Sequence, residues 1–278
     1  MMELKRFSLN RIAAPSVPLR DFFKLALAAG ISKVELRNDI GGADPIDGLE
    51  PAEAARLAGD LGIEILTINA LQKFNLASVR AKASSDLDSM LALARAVGCR
   101  AIVLCPNNAA DDSRSAARRA IETAEALAEF GPRFMAAGIL GYVEPLGFGI
   151  SSLDSLVAAQ EAIAKSGFSC YRIVHDTFHF HIGPEDLSVL GSVLNVSNIG
   201  LVHISGVELD IPTGDYRDAH RILVGPADRM KSREQIRTLE GLGYAGDFSF
   251  EPFAAEIQKL GERELVAALR KSIEYLSA

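Results

Sequence analysis

Tryptophan is absent from this 278-residue chain, and cysteine is scarce. Cys99, Cys105 and Cys170 are odd in number, scattered and set among apolar neighbours. That excludes a disulfide framework and reads as reduced core thiols, with no part in metal binding. No apolar run approaches the ~20 residues needed to cross a bilayer. The opening Met1-Met2-Glu3-Leu4-Lys5-Arg6 lacks the apolar stretch of a secretory signal. A cytoplasmic location with no membrane partner is therefore expected. Basic charge is also short: the formal net charge is −7, and no Lys/Arg cluster is interleaved with aromatics. Binding to duplex DNA draws much of its affinity from neutralised phosphates, so a nucleic-acid partner is not expected. A small polar substrate fits better.

Neither a Pro/Gly/Ser-rich linker nor a low-complexity segment divides the chain, so residues 1–278 read as one domain. Apolar residues make up 49% of it, enough for a substantial core. They recur as short runs separated by amphipathic stretches. The runs begin at Phe7-Ser8-Leu9-Asn10, Lys33-Val34-Glu35-Leu36-Arg37, Glu64-Ile65-Leu66-Thr67-Ile68-Asn69 and Ala101-Ile102-Val103-Leu104-Cys105. Four more follow: 139–143, 170–174, 199–202 and 247–250. Helical patterns lie at 19–29, 51–61, 76–97, 113–137, 152–165, 186–194, 232–242 and 262–276. Gly30, Gly62, Gly98, Gly138, Gly167 and Gly243 stop helices just before the next strand. Eight strands in strict alternation with eight helices predict an α/β fold, a (β/α)₈ TIM barrel.

The last four runs each stop at a residue able to bind a metal: Glu144, Asp176, His203 and Glu251. In a parallel barrel all strand C-termini open on one face, so the four groups converge by topology. Val143-Glu144-Pro145 and Phe250-Glu251-Pro252 are matching contexts, in which the proline holds each glutamate extended and ends its strand. Three carboxylates and an imidazole suit one divalent ion, with Mn²⁺ the first expectation and Mg²⁺, Co²⁺ or Zn²⁺ also compatible.

The run Val174-His175-Asp176-Thr177-Phe178-His179-Phe180-His181 holds three of the five histidines. His179 is placed to reach a metal-bound substrate from the loop after strand 6. His175 alternates with Asp176 and points the other way, as a structural residue; His181 reads as either a loop histidine or a site residue. Glu35 and Arg37 close strand 2 on the same side of the chain and either form an ion pair at the barrel mouth or pack the loops. Asn10, Asn69, Gln72 and Lys73 either line a polyol pocket or pack the loops, and Phe74, Phe148 and Phe178 either wall that pocket or fill the core.

These segments, together with Leu201-Val202-His203-Ile204, Phe248-Ser249-Phe250-Glu251, Asn69-Ala70-Leu71-Gln72-Lys73-Phe74-Asn75 and Asp218-Ala219-His220-Arg221, resemble the xylose-isomerase-like TIM barrels. Within them, the resemblance is nearest to the inosose isomerases of inositol catabolism, and it covers almost the whole chain. It implies a metal-dependent isomerase of a polyol ketone, most naturally an inosose. Glu144 and Glu251 would bind metal and also shuttle a proton between neighbouring carbons, while the metal stabilises the enediolate. His179 and Arg221 would bind substrate oxygens, with Asn69 and Lys73 as further contacts. Dimers are common among such proteins, so a homodimer is an expectation.

Related chemistries stay open. An inosose or dehydroshikimate-type dehydratase, a hydroxypyruvate isomerase and a ketose 3-epimerase all begin with removal of an α proton. An endonuclease IV-type phosphodiesterase shares the fold and would use Asp218, His220 and His179. That family needs further histidines where this chain has Asn69 and Cys105-Pro106.

Overall fold

Each short strand can bury its edges only against a neighbour, and each connecting helix returns the chain to the same end of the sheet, so successive strands pair in parallel. The computed structural model describes residues 3–40 and 44–278; the Met1-Met2 start of the opening segment lies outside the described residues. The strands are β1 (Phe7–Asn10), β2 (Lys33–Arg37), β3 (Glu64–Gln72), β4 (Ala101–Cys105), β5 (Leu140–Val143), β6 (Tyr171–Asp176), β7 (Ile199–Ile204) and β8 (Asp247–Phe250). They form a closed barrel in chain order, with β8 paired in parallel to β1. The helices are α1 (Leu19–Ala28), α2 (Pro51–Leu61), α3 (Arg80–Ala96), α4 (Ala116–Ala137), α5 (Leu156–Ser166), α6 (Thr177–Ile182), α7 (Ser232–Gly241), α8 (Ala255–Gln258) and α9 (Glu262–Ser277). This is a (β/α)₈ TIM barrel. Among the described residues, no helix is long and apolar enough to cross a membrane.

All six glycines expected to end helices have left-handed backbone, with φ between +68° and +94°. The helix expected over 186–194 does not form. Asp186 Oδ1 accepts from the Ser188 backbone N–H, holding a single 3₁₀ turn at Leu187–Val189, and Gly191 reverses the chain with φ +79°. Leu187, Leu190 and Leu194 are spaced like a helix face, but they fill the core from an irregular loop. The helix after β6 is instead the short α6, which starts where the strand ends.

Alternation sorts each strand into two faces. Phe7, Leu9, Val34, Leu36, Ile102, Leu104, Phe248 and Phe250 pack outward in the main core between barrel and helices. Inside the barrel, Leu66, Val103, Tyr142, Val174 and Leu201 form a smaller apolar cluster. The rest of the interior is polar, because β2 and β8 present matching series across β1. Lys33 Nζ lies 2.5 Å from Asp247 Oδ1, Ser249 Oγ donates to Glu35, and Arg37 Nη1 lies 2.7 Å from Glu251 Oε1. Cys99, Cys105 and Cys170 are buried free thiols.

Candidate metal centre and active site

Glu144 follows β5 directly, Asp176 ends β6, His203 is the last residue but one of β7, and Glu251 follows β8. Register places Asp176 beside His203 and His203 beside Ser249. Each of the four offers a ligand atom, and these atoms lie within 4.8 Å of one another. His203 Nδ1 faces the three carboxylates, 2.8 Å from Glu144 Oε1, 3.3 Å from Glu251 Oε2 and 3.9 Å from Asp176 Oδ2. All four residues are buried. Topology therefore brings together the four groups that the strand ends offered.

Charge supplies the test of whether a cation fits. Glu35, Glu144, Asp176 and Glu251 are buried carboxylates, faced by two buried guanidinium groups, those of Arg37 and Arg221. With His203 neutral, the site carries an excess of two negative charges in a place where unpaired charge is costly. A divalent ion would offset that excess, and three carboxylate oxygens with one imidazole nitrogen suit a borderline or hard cation. Protons answer the same need in part. Burial alone would lower the His203 pKa, but Glu251, Glu35 and Glu144 raise it well above the ordinary histidine value. Burial, with repulsion from Glu144, pushes Glu251 up to about 7. Burial would also raise Glu144 and Asp176, yet both stay below the usual range: His203 outweighs it at Glu144, and Arg221 with His179 does so at Asp176.

Arg221 is almost fully enclosed, at 1% exposure. Its Nη2 lies 2.5 Å from Asp176 Oδ2 and 2.8 Å from Glu251 Oε2, Nη1 reaches Asp218 and Nε donates to Ser205. The guanidinium also lies 5.0 Å from the Phe178 ring centre and 4.6 Å from that of Phe253. Phe253 covers Arg37 as well, at 5.2 Å, so one aromatic ring spaces the two cations. Nothing in the strand pattern singled out Phe253; its position two residues past Glu251 was the available signal.

His179 is buried between Phe148 and Phe178, with ring centres 5.2 and 5.3 Å away, and its Nδ1 has no hydrogen-bond partner. Its backbone N–H donates to Asp176 Oδ1, which also caps Phe178, so the strand-end aspartate itself starts α6. Gly147 lies against this turn so closely that a Cβ there would stand 2.0 Å from the His179 carbonyl oxygen. Only glycine lets the loop after β5 approach the histidine in this way. Burial lowers the His179 pKa.

Other expectations divide. His175 faces outward, its Nε2 2.9 Å from Gln235 Oε1 on α7, and burial lowers its pKa to about 4. His181 stacks on Tyr216. Glu35 and Arg37 both point into the barrel but are not partners of each other: Glu35 meets His203 Nε2, while Arg37 pairs with Glu251 and Asp39. Residues two apart on a strand stand in successive interior layers, so each finds its partner across the barrel. Asn10 Nδ2 bridges Glu35 and Glu251. Asn69 sits below the mouth, with Nδ2 donating to Glu35 and Thr67 while Oδ1 is buried without a partner. Gln72 ends β3 and Lys73 follows it, both exposed, and Phe74 belongs to the outer core and does not wall the site. Cys105, expected to be plain core, points its Sγ at Glu144 Oε2, 3.4 Å away. His220 accepts from the Arg217 backbone and takes no part in the cluster; Asp218 touches it only through Arg221. Among the described residues, the four strand-end groups are the one set close enough to hold a metal.

The sequence profile of the xylose isomerase-like TIM barrel matches residues 23–278. The chain belongs to that family. It is similar to the crystal structure of a xylose isomerase domain containing protein from Salmonella typhimurium LT2, at 36% identity and TM-score 0.93, over 100% of this chain and 99% of that one. The same fold occurs in the IolI protein with a bound zinc atom, at 20% identity and TM-score 0.88 over 98% of each chain. An L-ribulose 3-epimerase also shares it, at 21% identity and TM-score 0.74, over 98% of this chain and 93% of that one. No curated sequence matches the chain.

Proposed function

We propose that this family member is a divalent-metal-dependent isomerase that interconverts polyol ketones, with inososes such as 2-keto-myo-inositol as its substrates. The observation that carries the reading is the buried set of Glu144, Asp176, His203 and Glu251, whose ligand atoms lie within 4.8 Å of one another in a cluster with surplus negative charge. Those four residues would hold one ion, Mn²⁺ first among the compatible metals. When bound, the ion supplies Lewis-acid polarisation of the ketone and of the adjacent hydroxyl.

The chain's own groups account for the rest. Glu144 and Glu251 approach the shared centre from β5 and β8, on either side of His203. One takes the proton from the hydroxyl-bearing carbon next to the ketone, and the other delivers a proton to the former carbonyl carbon. The hydroxyl proton passes to the old carbonyl oxygen, so the ketone moves by one carbon and no atom is lost. The unpartnered Nδ1 of His179 meets a substrate hydroxyl, and Arg221, which shares the Phe178 ring with it, offers fixed donors beside Asp176 and Glu251. Lys73, exposed just past β3, is an outer contact to the polyol, and Asn69, buried beneath the mouth, supports the site through Glu35.

Incubation with 2-keto-myo-inositol and Mn²⁺ in D₂O, quenched with chelator and followed by NMR, tests this. Deuterium in a rearranged ketone supports isomerisation. Loss of water instead identifies a dehydratase, and inert inososes direct the search to ketohexoses. Absence of exchange with every polyol ketone tried ends the isomerase reading.

A further inference from the structure

Glu35 is a fully buried carboxylate that the reaction leaves without a role. It stands on β2, across the barrel from His203 on β7. Its Oε2 accepts from Thr67 Oγ1 at 2.5 Å and Asn69 Nδ2 at 2.9 Å, and lies 3.1 Å from His203 Nε2. Its Oε1 accepts from Asn10 Nδ2 at 3.2 Å and from Ser249 Oγ. Four donors besides the imidazole therefore converge on one carboxylate, and two of them are amide NH₂ groups that can only donate. Such a group acts as an acceptor towards the imidazole as well. The hydrogen between Glu35 and His203 then belongs to Nε2, so with a cation held among Glu144, Asp176 and Glu251 the lone pair turned to it is that of Nδ1, the nitrogen facing those three groups.

We propose that Glu35 is a positioning residue that fixes the His203 tautomer and ring orientation, so that Nδ1 is the nitrogen presented to the metal, with Thr67, Asn69, Asn10 and Ser249 holding Glu35 in place. The proposal rests on the metal-site reading above and adds to it a residue outside the ligand set. A carboxylate behind a ligating imidazole also increases the electron density it donates, and loss of such partners typically costs 10–100-fold in metal affinity. The substitution Glu35→Gln keeps the shape of the side chain, but it removes the charge and lets an amide N–H turn towards Nε2. That would favour the tautomer with its hydrogen on Nδ1, where it blocks coordination.

Zinc titration of metal-stripped protein by calorimetry, with no substrate present, reads the effect directly. Wild type is expected to bind one ion, Glu35→Gln about 10–100-fold more weakly, and Thr67→Val by a smaller factor. In zinc-loaded wild type labelled with ¹⁵N at histidine, His203 should show a metal-bound Nδ1 and a protonated Nε2. A wild type that takes up no zinc refutes the metal site itself. Normal zinc binding with Nε2 as the bound nitrogen, or equal affinity in folded Glu35→Gln, overturns the role of Glu35 alone. Should Glu35→Gln fail to fold, the wild-type ¹⁵N spectrum and the Thr67→Val affinity still decide.

Discussion

The two mouths of the barrel hold ion clusters built from the same two strands, yet they differ in one respect that decides their use. At the N-terminal mouth, the first residues of β2 and β8, Lys33 and Asp247, meet Arg100 and Glu64. Two cations face two anions there, and Arg100 and Glu64 are 40% and 46% exposed, so water and salt share the load. At the C-terminal mouth, the last positions of the same ladder, Arg37 and Glu251, join a sealed cluster in which carboxylates outnumber guanidinium groups. A balanced, half-wet cluster needs nothing further. An unbalanced, dry one has to take up protons or a cation. Ion pairs inside a barrel thus say little about function until their charges are counted.

Four measurements would sharpen or break that contrast. Glu251→Gln keeps the shape of the upper cluster but removes a proton carrier, and turnover should fall on the order of 10²–10⁴-fold. Wild-type rates in that variant would remove the proton-shuttle assignment. Next, Arg221→Met strands Asp176 and Glu251, and should destabilise the metal-free protein by about 3–5 kcal/mol in denaturant titration. The variant's surplus of negative charge is larger, so added divalent ion should raise its melting temperature by more than in wild type; an equal rise argues that the ion sits elsewhere. Third, divalent ion at about a hundred times its dissociation constant should stabilise wild type by about 2.7 kcal/mol, roughly 5 °C in calorimetry. Chelator should reverse this. The smallest effect belongs to the lower cluster. Lys33→Gln should cost within about 1 kcal/mol, with the loss fading in 1 M salt and the metal response intact. A lost metal response there would mean that the two clusters are coupled along the ladder.

The strands were legible because a parallel barrel buries them on both faces, leaving dense apolar runs with polar ends. Glu144, Asp176, His203 and Glu251 were legible for the same reason: a charged side chain at the end of such a run stands out. The segment 186–194 misled because leucines spaced three and four apart suit a helix, whereas an Asx turn at Asp186 and the left-handed Gly191 bend the chain instead. Helix α6 was missed because six residues carry too little periodicity, and its start depends on the side chain of Asp176. Glu35 and Arg37 were placed at the mouth, but proximity in sequence suggested a pairing between them. The alternation Lys33-x-Glu35-x-Arg37 against Asp247-x-Ser249-x-Glu251 held the better clue.

What the amino-acid order determined by itself was local: which runs are strands, where glycines end helices, and which strand ends carry metal-binding groups. Closure then made them neighbours, since parallel strands in a ring share one mouth. Only the tertiary structure decided the partners inside that ring, joining Glu35 to His203 and Arg221 to two carboxylates. Hydrogen bonds and charge balance are set across the barrel, between residues far apart in the chain, and no spacing along one strand encodes them.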